Sequence, residues 1–147
     1  MKKAFLLLSF LISFYGYSQT NKYKNKIIYS KGLGVNFVEI SMHENLDENN
    51  NVVSKKFILK LQDVNYIHIT NRIECFSGNS EEFIKFMDVL NSFYKENETD
   101  VFMDYGNLNL RRAKYGVGIT FKDKIGEIGF YFKDFEKLKT SVENNSK

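Results

Sequence analysis

SGNSEEFIKFMDVLNSFYKENETD, Ser77 to Asp100, is the stretch on which the fold turns. Phe83, Phe86, Met87, Leu90, Phe93 and Tyr94 recur at intervals that place them on one stripe of an α-helix. Ser80 stands where a helix cap is needed. Glu81 and Glu82 follow in the first turn, where the helix dipole favours negative charge. A stripe this apolar has to be covered, and Met and Phe at helical spacing point to core packing rather than to a cofactor site. The cover should come from the segments on either side.

Upstream, the period changes from that of a helix to that of a strand. Val38, Ile40 and Met42 alternate with polar residues between Val35 and Met42. The polar run HENLDENNNV, residues 43–52, reads as a hairpin loop, and Phe57, Leu59 and Leu61 define the face of a second strand. Gln62 to Asn65 suits a tight turn. A third strand then runs from Tyr66 to Phe76, with Ile67, Ile69, Ile73 and Cys75 sharing one parity and Tyr66, His68, Thr70, Arg72, Glu74 and Phe76 the other.

Downstream, Leu108 to Lys114 reads as a strand. Val117, Ile119 and Phe121 mark another, and Ile128, Phe130 and Phe132 a third, with Asp123-Lys124 turning between the last two. Asp134 can cap a closing helix with Phe135, Leu138 and Val142 on its apolar side, and the end NNSK should fray. The expected fold is α+β: an antiparallel sheet of about six strands and two helices in two layers, in the order βββαβββα. EEFIKF and KDFEKL place similar residues on the two helices, which hints at an internal duplication.

The chain begins with a stretch of a different kind. Lys2 and Lys3 precede a short apolar run, Ala4 to Tyr15, and Gly16 and Ser18 set small residues before Gln19. This is the pattern of a secretory signal. The run falls short of the ~20 residues that span a bilayer. The expectation is a signal peptide over residues 1–18, cleavage between Ser18 and Gln19, and a secreted or periplasmic protein with no transmembrane segment in the mature chain. Residues 19–147 then form one α+β domain, with a flexible N-terminal arm and a C-terminal tail. Lys22, Lys24, Lys26 and Lys31 make that arm basic, and it reads as solvated.

Composition narrows the function classes. The formal charge is +3, of which Lys2 and Lys3 supply two, so the mature chain lacks the clustered positive charge that nucleic acid requires. With 14 Phe and 9 Tyr, a core can form without disulfides. Cys75 is the sole cysteine, and its strand parity predicts a buried thiol.

Catalytic and metal signatures are missing. No nucleophile elbow or phosphate-binding glycine loop occurs, and KGLGVN and GVGITF lack the full dinucleotide fingerprint. His43 and His68 do not have zinc-ligand spacing. Asp47 to Asn51 starts like a calcium loop, but Val52 stands where glycine is required and Ile58 where a bidentate acid is required. A Cys75 and His68 pair would need a bulge between them to bring both to one face.

No catalytic residue, cofactor or metal site is therefore expected. The reading is an exported, non-catalytic binding module for a protein or a small polar ligand, with Tyr66, His68, Arg72 and Phe76 as candidate contact residues on the strand face away from the core. A secreted or periplasmic hydrolase with a dispersed site is the alternative. The leader carries its own test: the intact mass of the extracytoplasmic protein should correspond to a chain starting at Gln19, whereas a mass that includes Met1 overturns the export reading.

Overall fold

The computed structural model describes residues 22–32, 37–63, 72–123 and 134–147. The helix expected from its stripe is α1, Ser80–Glu96. It starts one residue earlier than expected, because Asn79 is the cap. The Asn79 side chain accepts from the Glu82 N–H at 3.0 Å, and the Glu82 carboxylate accepts from the Asn79 N–H at 2.8 Å. This reciprocal pair satisfies two backbone donors that would otherwise lack partners. Gly78 leaves room for it, since a Cβ there would lie 2.8 Å from Glu82 Oε2 and 2.9 Å from Glu82 Cβ.

Four antiparallel strands precede α1: β1 (Lys22–Lys31), β2 (Val38–Leu46), β3 (Val52–Gln62) and β4 (Arg72–Gly78), in spatial order β1-β2-β3-β4. Three follow it as a second antiparallel sheet, β5 (Phe102–Tyr105), β6 (Leu108–Ala113) and β7 (Gly116–Phe121). Helix α2 (Phe135–Ser146) closes the chain after Asp134. The class is α+β as expected, with seven strands among the described residues in two sheets. The strand read at Ile128, Phe130 and Phe132, the residues Val64 to Asn71 and the Val35 end of the second strand lie outside the described residues.

The core joins both sheets to both helices. Val38, Ile40, Met42, Phe57, Leu59 and Leu61 from the first sheet meet Phe83, Phe86, Met87, Leu90 and Phe93 of α1; Leu108, Leu110, Val117 and Ile119 come from the second sheet, and Phe135, Leu138 and Val142 from α2. All three apolar positions expected for the closing helix are buried. Burying a large aliphatic or aromatic side chain contributes about 1.5–3 kcal/mol each, so this cluster outweighs any polar contact in the molecule.

Four expectations change. Lys22–Lys31 is a strand and not an arm: β2 needs a partner on its outer side, and a strand whose side chains are mostly exposed can supply backbone bonds whatever its composition. The C-terminal stretch is helical to Ser146, tied by Lys55, whose Nζ donates to the carbonyls of Asn145 at 2.9 Å and Lys147 at 2.6 Å. The hairpin after Met42 is shorter than its polar composition implied, since β2 runs on to Leu46. Strand β5 was absent from the sequence reading.

In that shortened hairpin, Asp47 makes the turn. Its carboxylate accepts from the N–H of Asn49 at 2.9 Å, the N–H of Asn51 at 2.8 Å and Asn51 Nδ2 at 3.0 Å, around Asn50 at φ 64°. The Asn51 side chain, its N–H and that of Asn49 hold the Asp47 pKa below its ordinary value of 3.8. A depressed folded pKa gives stability that is present above the unfolded value and is lost as pH falls through the folded one. Asp47→Ala should therefore lower the urea midpoint at pH 7, and the gap to the parent protein should close as pH drops below 3.8; a gap of constant size across that range would show that the charge is not what holds the turn.

Candidate functional site

Strand β4 carries two of the expected contact residues, and its register decides where they point. Phe57 pairs with Gly78, Ile58 with Ser77 and Leu59 with Phe76, but Lys60 pairs with Glu74. Cys75 is the additional residue of a β-bulge, and a bulge reverses the alternation beyond it. Before it, Arg72 and Glu74 face away from the helices as expected. After it, Phe76 joins the helix side: its ring stacks on Phe86 at 4.2 Å and meets Phe83 edge-on at 5.9 Å. The expectation that Phe76 lies on the outer face is thus corrected. Cys75 is buried against the same core, with Sγ 3.6 Å from the Ile73 carbonyl oxygen.

Arg72 is committed to neighbours within the sheet. It donates to Glu39 Oε2 at 2.7 Å, and its guanidinium sits 4.0 Å over the centre of the Phe37 ring. Lys60 Nζ lies 3.7 Å from the other Glu39 oxygen. Glu39 is only 3% exposed, and Phe37, Ser41 and Ile58, which share its face, are buried too. This side of the first sheet is not the solvated surface that the alternation suggested. Ser41 Oγ and His43 Nε2 are buried there with no hydrogen-bond partner, and the His43 ring stacks on Tyr23 at 6.2 Å. Among the described residues no acid pairs with His43. Tyr66 and His68 lie outside the described residues.

Besides Tyr23 on β1, which stacks on His43, the exposed aromatic side chains among the described residues belong to the second sheet. Leu108 and Leu110 face the helices, so Asn109 and Arg111 face out, and the register sets Phe102 opposite Arg111. Phe102 is 60% exposed, and Tyr115, in the two-residue loop between β6 and β7, is 67% exposed. The Arg111 guanidinium lies 5.8 Å from the Phe102 ring centre and donates to Asp100 Oδ1 at 2.7 Å. Lys114 Nζ is 5.3 Å from the Tyr115 ring. A shallow hollow of about 300 Å³, lined by Thr99, Asp100, Arg111, Ala113, Lys114 and Tyr115, adjoins them. Arg112 points the other way: it donates to the Tyr94 carbonyl at 2.7 Å and covers the Tyr94 ring at 3.8 Å.

A second opening, of about 420 Å³, lies between β4 and the turn joining β5 to β6. Its walls are Glu74 to Ser77 on one side and Tyr105 to Leu108 on the other, with Phe121 at the end. Among the described residues no histidine lines it. Among the described residues no three His, Cys, Asp or Glu side chains gather as metal ligands, and no helix is long and apolar enough to cross a membrane.

The sequence reading missed Phe102, Arg111 and Tyr115. A strand at Leu108–Lys114 was legible, and with it the outward position of Arg111. The partner strand was not, because β5 has four residues and no alternation long enough to register. Comparison of the chain with protein-family models, with curated proteins and with solved structures finds no match.

The Glu39 cluster carries a prediction. Removing Arg72 leaves a buried carboxylate with only the more distant Lys60, and an unsatisfied buried group costs about 1–3 kcal/mol. Arg72→Ala should lower unfolding free energy by about that much in urea, with part of the loss recovered in Arg72→Ala/Glu39→Gln. Equal and additive losses in the double variant would show that the two side chains act independently.

Proposed function

We propose that the protein is a small exported binding module without catalytic activity, and that it meets a protein partner through the outer face of its second sheet. One observation carries this reading: Phe102 and Tyr115 stand largely in solvent beside Arg111 and Lys114. Large aromatic side chains in water are unfavourable unless something covers them. Tyr and Arg are also the residue types that most often anchor interfaces, because they bury much area for little rotamer freedom. The shallow hollow beside them suits a side chain from a partner, or a small polar ligand, better than an enclosed substrate.

Export rests on the leading residues: two lysines, an apolar run and small residues at Gly16 and Ser18, with cleavage before Gln19 into the periplasm or the medium. The hydrolase alternative would need an acid beside a histidine, and His43 instead stacks on Tyr23 with its Nε2 unpartnered.

A photo-reactive amino acid placed at position 102 should cross-link to a protein of the cell envelope in living cells, and the same group at the exposed helix position 137 should not. Once that partner is purified, Phe102→Ala/Tyr115→Ala should weaken binding by roughly 30-fold or more, the equivalent of about 2 kcal/mol. Folding should change by less than about 0.5 kcal/mol, as for other surface substitutions. Turnover of ester, peptide or phosphate substrates that vanishes in His43→Ala would overturn the reading in favour of the hydrolase.

A further inference from the structure

Strand β5 spends only half of its backbone bonding capacity on β6. Arg112 donates to the Val101 carbonyl at 2.8 Å and accepts from the Asp100 N–H at 2.7 Å, so it occupies a bonded position of the ladder. Bonded and non-bonded positions alternate along an antiparallel pair. Leu110 and Leu108 are therefore bonded too, to Met103 and Tyr105, whereas Phe102 opposite Arg111 and Asp104 opposite Asn109 are not. The N–H and C=O groups of Phe102 and Asp104 turn away from β6, toward the edge at which the second sheet ends. The chain on both sides of β5 is described without interruption, residues 72–123, and no described backbone group bonds to that edge.

Beneath this edge lies a groove of about 350 Å³ between β5 and the flank of α1. Among the described residues Met103 is its one wall residue from β5 and β6 contributes none, which places the groove on the free side of the strand. Val89, Phe93 and Met103 give it an apolar floor, and Lys85, Asp88, Ser92 and Glu96 form a rim along α1. Lys139 holds Asp88 at 2.8 Å. Lys85 and Glu96 are exposed and have no ion partner among the described residues. At ~1.5 Å of rise per residue they lie about 16 Å apart along the helix, so one end of the rim is positive and the other negative.

Outer strands that must stay unpaired commonly carry charge. Strand β1 does, with Lys22, Lys24, Lys26 and Lys31. Strand β5 has one charged residue, Asp104, and Lys122 sits 2.9 Å from it. We infer that the edge of β5 accepts an extended segment of a protein partner as an added strand, with apolar side chains in the groove over Met103 and Val89, an acidic residue at the Lys85 end and a basic one at the Glu96 end. Strand addition takes its affinity from main-chain hydrogen bonds and its specificity from pockets for alternate side chains. The intervening side chains would stand beside Phe102, so the groove and the outer face of the second sheet form one continuous surface. A second copy of this chain would bring its own α1 along with its β5, and a helix ~10–12 Å across does not fit a groove that holds a few side chains. The inference rests on the reading above for the partner being a protein, and adds how that partner is recognised.

The probe is a set of fluorescein-labelled heptapeptides with Val or Leu alternating with Thr, carrying Glu at the amino end and Lys at the carboxyl end, the reverse order, or Gln at both ends, titrated by anisotropy against the purified protein. One charged order should bind saturably, about fivefold more tightly than the other two arrangements. N-methylation of its alternate backbone amides should weaken it about tenfold or more in one register and about twofold or less in the other. Ser92→Trp, which fills the groove from the exposed rim, should abolish binding. Lys85→Glu/Glu96→Lys should exchange the preferred order, and circular dichroism verifies that both variants are folded. Saturable binding by no peptide, indifference to N-methylation in both registers, binding that survives Ser92→Trp, or an order preference unchanged by the charge exchange overturns the inference. A concentration-dependent dimer that Ser92→Trp dissociates overturns it as well, by seating a second copy on this edge. Each of these outcomes leaves cross-linking from position 102 as a separate measure of the outer-face interface, and loss of that cross-link with peptide binding intact would remove the interface and keep the groove.

Discussion

Phe86 holds the two sheets to one helix. Its ring stacks on Phe76 of the first sheet at 4.2 Å and leans on Tyr105 of the second at 5.2 Å. Phe83, one turn earlier on α1, meets both Phe76 and Phe57 edge-on. Neither sheet is wide enough to bury α1 by itself, and a helix with this much apolar surface has to be covered on more than one side. The division of the described strands into two sheets, with α1 between them in sequence and against both in space, answers that requirement.

The same constraint explains the bulge at Cys75. An uninterrupted strand would have sent Phe76 to the outer face and left α1 facing a gap. One additional residue returns the ring to the helix side while Arg72 and Glu74 keep their outward positions. Bulges re-aim side chains at the margins of sheets, and here the re-aimed ring is the one under Phe86. The outer face of this sheet is then organised by Glu39, which gathers Arg72 and Lys60 around a buried carboxylate.

How much of this could be read from residues depended on which physical signal each element carried. Helix α1 was legible because six apolar residues fall on one stripe, and β2, β3 and β7 because their alternation is long and clean. Strand β1 was hidden: its side chains are mostly exposed, four of the ten are lysines, and its contribution is backbone pairing, which leaves no trace in hydropathy. Parity has no means of registering an inserted residue, so Phe76 was assigned to the wrong face. Of the four contact residues expected on that strand, Arg72 faces outward but is held by Glu39, and Tyr66 and His68 fall outside the described residues. The exposed aromatic pair on the second sheet depends on a cross-strand register that no local pattern encodes.

Lys31 joins Asp134, and Lys26 reaches Asn145 at 3.2 Å, across sequence separations of 103 and 119 residues. The first described strand is thus fastened to the last helix, and Asp134 raises the Lys31 pKa through this contact. Contacts this distant in sequence are slow to form, because a long loop must close before any of them is made. During synthesis, β1 has no helix to lean on until the final turns of α2 have emerged. The emergence of α2 is therefore what fastens β1, and a nascent chain stalled short of it would leave its lysine-bearing strand and part of the core uncovered.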